Sequence, residues 1–459
     1  MELSNLDLLI IFAYFGVLLG FGILVRRVRG FADYSVANRQ VPVSMVFASM
    51  AATYIGPGFS VGIAGKAYSL GYLFFALPLF FVIQTLFVGA FLAKRMHSFT
   101  NCHSVGDIIG EKYGTSSQFV AGIVSVGLSV GFAAIMAKVG GGMLAQATGL
   151  PFILSIAIVT GTGVIYTYTG GLKSVIATEA FQFSIFSIAF PIVLLSCVAH
   201  PSFHFSDAEA KAVEVTMSGI TTMSPMQLFG IAISFLLGEM LIPPYTNRVL
   251  ASGDKDIASK GFLMAGMFGV VWLGIVVALG LVGSVLLPAG TPEDEVFSKL
   301  VVNYAPHGLI GLVVVALIAI VMSSQESVLN AGAVAFTRDI VKNVHRLEDR
   351  QALWLTKGFT FLAGVAAIIF AINAPSIIDG LLIMYSIWAP TVLVPLIAGL
   401  YLKNTAGAAG LLSMLVGGGS SLAWRISLGE PYGVPSILVG LGASVIIYAV
   451  AHLTLSKRS

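Results

Sequence analysis

Charged side chains are scarce in this sequence. Asp, Glu, Lys and Arg together make up 10% of its 459 residues, whereas hydrophobic residues make up 57%. A typical soluble protein carries about 25% charged residues. With so few charges and a mean hydropathy of +0.95, the chain is predicted to be a polytopic membrane protein with the lipid bilayer as its surroundings.

The sequence also lacks the signatures of several protein classes. Its two cysteines, Cys102 and Cys197, fall on opposite sides of the bilayer in the topology given below, so we expect no disulfide between them. Its seven histidines show no metal-ligand spacing. It contains no HExxH motif, no phosphate-binding loop and no separate soluble domain. These absences argue against an enzyme, an ATP-driven machine and a nucleic-acid-binding protein.

Long apolar runs dominate the chain. About 20 apolar residues cross a bilayer as a helix, and the sequence predicts thirteen such segments. They cover residues 6–25, 43–67, 72–95, 117–147, 151–169, 175–198, 225–249, 259–287, 307–336, 352–373, 377–401, 406–426 and 434–454. The polar stretches 201–224 and 288–306 between them have room for short surface helices.

Basic residues are distributed unevenly between the two sets of loops. When loops alternate between sides, 19 of the 24 Lys and Arg residues fall on one side. The other side receives Lys66, Lys211, Lys299 and Arg425, and Lys138 stays inside a span. By the positive-inside rule, we expect the N-terminus outside and the C-terminus in the cytoplasm. The expected location is the cell (inner) membrane.

Two predicted spans are interrupted by helix-breaking residues. The second contains Gly56, Pro57 and Gly58, and the seventh contains Pro243 and Pro244. Two such spans, five helices apart, indicate a transporter built from inverted repeats, although two ordinary proline kinks would look the same. The predicted fold is all-α, with a five-plus-five inverted-repeat core and two discontinuous helices. Its predicted parts are a peripheral first helix and loop (1–40), repeat one (41–200), repeat two (201–403) and two peripheral helices (404–459).

One face of the ninth span carries hydroxyl groups. Ile320, Ser323, Ser324 and Ser327 occur at helical spacing i, i+3, i+4 and i+7, so they share one face. Buried hydroxyls often only back-bond to their own helix, and the spacing alone does not distinguish that arrangement from an ion site.

Several local motifs resemble one known family. They are "ADYSVANR", "YTGGLKSVIATEAFQ", "PPYTNRVLAS" and "MSSQES", in that order along the chain. The chain resembles the sodium/solute symporter family, which includes sodium-coupled sugar, proline, pantothenate and choline transporters. The resemblance implies a secondary transporter that couples sodium entry to uptake of a small organic solute by alternating access. Proton coupling and a membrane sensor without transport remain the alternatives.

The resemblance also implies a sodium site. In the family, carbonyl groups at the first broken helix and hydroxyl groups of the eighth core helix hold the ion. Hard cations prefer oxygen ligands, and an unwound helix frees its carbonyls to act as ligands. The matching oxygens here are the carbonyls of Ala52, Ile55 and Ile320 and the hydroxyls of Ser323 and Ser324.

Two acidic residues are predicted inside spans, where charges are costly and often functional. Glu179 stands where the family usually has Asp in a second sodium site, and Glu326 and Ser327 occupy the matching positions on the ninth span. Glu326 is similar to an acid of the choline-type branch. We expect this group to bind a second cation or a proton. The alternative for Glu179 is a structural pair with Lys173.

The solute site is predicted at the two breaks. Lys138 is expected to line the central cavity and to meet Glu239, either pairing with it or holding a solute carboxylate, unless it extends to the outer surface. The expected contacts are Tyr54, Gly56, Gly58, Phe59, Lys138, Glu239, Tyr385 and Trp388.

The residues at sugar-contacting positions are mostly apolar. Pro78, Phe81 and Leu382 stand there, and they would leave sugar hydroxyls without partners. We therefore expect a smaller, carboxylate-bearing solute, with a cationic, choline-like solute as the alternative.

Overall fold

The computed structural model describes residues 4–24, 28–305 and 310–455, and within these ranges it is nearly all helical and contains no β-strand. The helices of the first part are α1 (Asn5–Leu24), α2 (Phe31–Val36), α3 (Val43–Tyr54), α4 (Gly58–Leu70), α5 (Leu73–His97), α6 (Val105–Tyr113), α7 (Thr115–Thr148) and α8 (Phe152–Val198). Those of the second part are α9 (Phe205–Thr222), α10 (Pro225–Leu237), α11 (Pro243–Ala251), α12 (Lys255–Leu286), α13 (Val296–Tyr304), α14 (Ile310–Val344), α15 (Asp349–Ala371), α16 (Ile377–Tyr401), α17 (Gly407–Leu422) and α18 (Ser436–Leu455).

Each of the thirteen predicted segments is mainly helical in the described residues, and residue 25 and residues 307–309 lie outside them. Among the described residues, eight helices are long and apolar enough to cross a membrane alone, or up to ten if each bent pair is one span. The number is lower than thirteen because α8 contains two segments, because α1 and α17 are short, and because the second and seventh segments are each divided into shorter helices at a break. The polar stretches 201–224 and 288–306 form α9 and α13, as expected. The division into repeats at 41–200 and 201–403 stays a prediction.

The two halves of α8 meet at a glycine with an unusual backbone conformation. Gly171 has φ +57° and ψ −148°, a combination that residues with a side chain rarely adopt. A Cβ atom there would also lie 2.6 Å from the ring of Tyr34. This glycine separates the fifth predicted segment from the sixth, and it explains why "TGG" stands between them.

The first broken helix bends by 59° between α3 and α4. α3 ends at Tyr54, and Pro57 has no amide hydrogen with which to continue the helical ladder. The second break separates α10 from α11, where Leu241 has φ +55°. The sequence therefore predicted both breaks correctly.

Helix α14 occupies the centre of the molecule. In its most apolar stretch, 94% of the residues are buried inside the protein. It packs against α7, α8 and α3, so its polar side chains face protein on every side and must find partners there. This position brings the serine face of α14 to the first break.

Candidate ion and solute sites

The serine face of α14 contacts the backbone carbonyls at the end of α3. The Ser323 hydroxyl donates to the Ala52 carbonyl at 3.1 Å and to the Ile320 carbonyl at 2.9 Å. The Ser324 hydroxyl lies 3.3 Å from the Thr53 carbonyl and 3.4 Å from that of Ile320. The structure thus brings together four of the five predicted ion ligands and places the Thr53 carbonyl beside them.

The fifth predicted ligand, the Ile55 carbonyl, lies at the same break and accepts a hydrogen bond from the Ser60 hydroxyl at 3.0 Å. Gly56 allows α14 to approach this closely, because a Cβ atom at this position would lie 2.7 Å from the Ser324 Oγ atom. The break therefore needs glycine for proximity to α14 as well as for backbone freedom.

Glu179 forms a fully buried ion pair with Arg248, whose guanidinium lies 2.5 Å from its carboxylate. The carboxylate also accepts hydrogen bonds from the hydroxyls of Ser49, Thr53 and Ser327. The pairing with Lys173 considered from the sequence is wrong, since Lys173 pairs with Asp33 nearer the end of the span. The Arg248 contact was not expected from the sequence, because the predicted topology assigned that residue to the cytoplasmic loops.

Glu326 has different hydrogen-bond partners from Glu179. Its carboxylate accepts a hydrogen bond from Thr178 at 3.0 Å, whereas Ser327, the next residue, contacts Glu179. Glu326 and Ser327 are both completely buried. The two carboxylates are close enough to interact electrostatically, but within the described residues Glu326 is not part of the hydrogen-bonded group of Glu179 and Ser327.

A cavity of about 40 Å³ lies between the two breaks. Six of the predicted solute contacts line it: Tyr54, Gly56, Gly58, Phe59, Glu239 and Tyr385. Aromatic side chains that were not predicted as solute contacts complete the wall: Phe81, Phe132 and Phe235. The cavity also reaches Thr53 and Ser324, so it adjoins the carbonyl and hydroxyl cluster.

Aromatic rings form one part of the cavity wall. The Tyr54 ring stacks on Phe81 at 4.7 Å and contacts Phe59 at 5.0 Å, between ring centroids. Among the described residues, Glu239 supplies the one carboxylate of the wall. It accepts a hydrogen bond from Tyr245 at 2.7 Å and another from Tyr385.

Lys138 lies outside this cavity. Its ammonium group donates to the Ala374 carbonyl at 2.5 Å and lines a different pocket of about 220 Å³ with Asp294 and Glu295. The expected pair with Glu239 is not formed, because Lys138 is directed toward the start of α16 and away from the second break.

Trp388 likewise does not line the cavity. Its indole nitrogen donates to the Met240 carbonyl at 3.0 Å. The Trp388 side chain therefore stabilises the backbone at the second break and is not part of the cavity wall.

This geometry agrees with a comparison against known families. The family model described as "Sodium:solute symporter family" matches residues 34–417. The chain belongs to the sodium:solute symporter family. The family resemblance predicted from the local motifs is thereby confirmed, and transport with sodium as the coupling ion is supported at the level of the family.

Individual relatives are distant but cover most of the chain. The sodium/pantothenate symporter of Haemophilus influenzae is 24% identical over 418 residues, which cover 86% of this chain and 85% of that protein. The human high affinity choline transporter 1 is 25% identical over 423 residues, which cover 86% of this chain and 71% of that protein.

A solved structure confirms the fold. It shows a Na⁺-coupled sialic acid symporter in a substrate-bound outward-open state, and it superimposes with a TM-score of 0.85 at 18% identity over 98% of both chains. The predicted all-α inverted-repeat fold is confirmed. The protein is an integral membrane protein of a transporter family. The direction of its termini stays a prediction.

Proposed function

We propose that the protein is a sodium-coupled symporter of a small organic solute that carries a positively charged nitrogen. The observation that carries this proposal is the Glu239 carboxylate in the wall of an aromatic cavity beside the first break. Transport proceeds by alternating access in the cell inner membrane, with the N-terminus outside and the C-terminus in the cytoplasm.

The sodium ion binds at the first break in this proposal. Its ligands are the carbonyls of Ala52, Ile55 and Ile320 and the hydroxyls of Ser323 and Ser324. The contacts of both hydroxyls with carbonyls across the α3–α14 interface support this assignment. All these groups are oxygens, which suit a hard cation. Because Ser324 and Thr53 also border the cavity, the bound ion would lie next to the solute, which provides a direct physical basis for coupling.

The chemistry of the cavity wall favours a cationic group on the solute. The π faces of aromatic rings attract cations, and Tyr54, Phe59 and Phe81 line the cavity together with the Glu239 carboxylate. No basic side chain lines the cavity within the described residues. The carboxylate-bearing solute expected from the sequence relied on Lys138, which lies in another pocket, so that expectation has lost its main support.

A carboxylate at the other end of the solute is still compatible with the site. The N-terminus of α4 begins at Gly58, in the cavity wall, and the positive end of a helix dipole favours a negative group. Amino acids and betaine-like zwitterions therefore belong to the proposed class together with simple amines and quaternary ammonium compounds.

A panel of solutes tests the proposal directly. The purified protein is screened by thermal shift against primary amines, quaternary ammonium compounds, amino acids, monocarboxylates and sugars, in sodium and in potassium buffer. Hits are then assayed for uptake into proteoliposomes. We expect stabilisation by compounds with a cationic nitrogen, stronger in sodium, and uptake driven by a sodium gradient.

Two charge-removing variants test which of the two pockets binds the solute. Glu239→Gln is expected to raise the half-saturating solute concentration by more than about ten-fold, or ~1.4 kcal/mol, because the counter-charge is lost. Lys138→Gln is expected to leave that concentration nearly unchanged. Sodium-driven uptake of a monocarboxylate that depends on Lys138 and ignores Glu239 would contradict the cationic-solute proposal.

A further inference from the structure

Several buried oxygen atoms between α8 and α14 have no hydrogen-bond partner in the part of the chain that the structure describes. They belong to four fully buried side chains and are Glu326 Oε1, Tyr166 Oη, Gln182 Oε1 and Gln325 Oε1. Buried polar atoms are nearly always hydrogen-bonded. A group of such atoms on two facing helices therefore needs an explanation.

The charge at Glu326 is not balanced by any side chain in the described ranges. Thr178 donates a side-chain hydrogen bond to its carboxylate, the Tyr166 hydroxyl lies beside it, and no ion pair among the described residues includes it. The nearby guanidinium of Arg248 is bonded to Glu179, Ser49 and Ser327 and to the Pro244 carbonyl. A buried carboxylate without a counter-charge is strongly unfavourable, so Glu326 either carries a proton or has a positive ion near Oε1.

The two glutamine side chains are oriented by their nitrogen atoms. The Gln325 amide nitrogen donates to the Ala133 carbonyl at 3.1 Å and to the Thr160 hydroxyl at 3.0 Å. The Gln182 amide nitrogen donates to the Tyr14 hydroxyl at 3.1 Å. Since these bonds fix each amide, both side-chain oxygens remain free as acceptors.

The Tyr166 hydroxyl connects these groups, because it lies beside both Glu326 and Gln182. There is also space next to it. A Cβ atom placed on Gly163 would come no nearer than 3.9 Å to its closest neighbours, which are Gln325 Oε1 and the Tyr166 hydroxyl oxygen. Acceptor oxygens, a negative charge and open space thus occur together.

We propose that Glu326, Tyr166, Gln182 and Gln325 form a second sodium site, separate from the one at the helix break. The ligands would be one carboxylate oxygen, one hydroxyl and two amide oxygens, a set that suits a hard monovalent cation. The inference rests on the proposed sodium-coupled function and adds to it. It replaces the expectation that Glu179 and Ser327 hold this ion, because Arg248 already neutralises Glu179.

Coupling between the two sites follows from their places on one helix. Glu326 is within one turn of Ser323 and Ser324 on α14. An ion that fixes this turn at Glu326 also fixes the hydroxyls at the break. We therefore expect sodium binding to be cooperative in the wild-type protein.

Equilibrium binding of ²²Na⁺ to the purified full chain in lipid nanodiscs tests the proposal without knowledge of the solute. The wild-type protein is expected to bind two ions per chain with a Hill coefficient above one. Glu326→Gln, which keeps the size of the side chain, is expected to bind one ion with a Hill coefficient of one. The matched control is Glu214→Gln on the exposed outer helix α9, which should behave as wild type.

Tyr166→Phe keeps the proposal testable if Glu326→Gln does not fold. Loss of a single hydroxyl ligand should weaken one of the two ions by roughly ten-fold while the other is retained. Two ions bound with wild-type affinity in Glu326→Gln would overturn the proposal. So would a Glu326→Gln variant that changes only the pH dependence of binding, which would make Glu326 a proton-binding residue.

The same measurement separates this inference from the proposed function. If the wild-type protein binds no sodium, sodium coupling itself fails. If it binds one ion that is lost in Ser323→Ala/Ser324→Ala and kept in Glu326→Gln, only the second site is wrong.

Discussion

Arg248 and Glu179 form an ion pair in which neither side chain is exposed. Arg248 belongs to α11, after the second break, and Glu179 belongs to α8. Ser49 on α3 and Ser327 on α14 donate to the same carboxylate. This one pair therefore connects both broken helices to the two helices that hold them.

Loss of Arg248 alone is predicted to be strongly destabilising. Arg248→Met leaves the Glu179 carboxylate buried without its counter-charge, a situation that typically costs about 3–5 kcal/mol. The melting temperature in detergent should fall markedly. The double variant Arg248→Met/Glu179→Gln should recover much of the loss, because no uncompensated charge remains. If the decrease in melting temperature of the double variant equals the sum of the decreases caused by the two single substitutions, the ion pair does not stabilise the protein.

Gly56→Ala is predicted to weaken sodium binding without unfolding the protein. The added methyl group would lie 2.7 Å from the Ser324 Oγ atom, so the serine face must move away from the α3 carbonyls. The expected result is a higher half-saturating concentration for ²²Na⁺ at a nearly unchanged melting temperature. Gly274→Ala is the matched control, since nothing lies within 4 Å of its added carbon. Equal sodium affinity in the two variants would show that Gly56 does not contribute to the ion site.

His103, in the loop before α6, is predicted to make stability depend on pH. Burial, with the charges of Arg338, Arg39 and Lys342, lowers its pKa from 6.5 to about 4. The folded protein therefore binds a proton at His103 less readily than the unfolded chain. Stability from this residue is fully present above pH 6.5 and is lost as the pH falls toward 4.

The measurement for His103 is the melting temperature between pH 7 and pH 4.5. His103→Gln should show a smaller decrease over this range than the wild type, whereas His345→Gln, at an exposed position, should follow the wild type. The same decrease in all three proteins would show that other groups cause the acid sensitivity.

The course of the backbone was predictable because its determinants are local. Apolar runs of sufficient length define spans, and proline and glycine interrupt them at fixed positions, as Pro57 and Pro243 do here. The serine face of α14 followed from helical spacing alone. Its contact with Ala52 was expected from the family resemblance, which supplied the register between the two helices.

The partners of the buried charges were not predictable from the sequence. Whether Lys138 meets Glu239 or the Ala374 carbonyl depends on how α7 is rotated and displaced relative to α16. The spacing of residues along one helix does not determine how that helix is oriented relative to its neighbours. For the same reason the sequence missed Arg248 as the partner of Glu179.

The double variant Ser323→Ala/Ser324→Ala tests the central claim, which is that sodium binds where α14 meets the first broken helix. Both hydroxyls contact carbonyls there, and oxygen atoms are the ligands that a hard cation prefers. We measure ²²Na⁺ binding to this variant and to Ser202→Ala/Ser206→Ala, a control at exposed serines. The account predicts that the first variant binds one sodium ion fewer per chain than the control. Equal numbers of ions bound with equal affinity would contradict it.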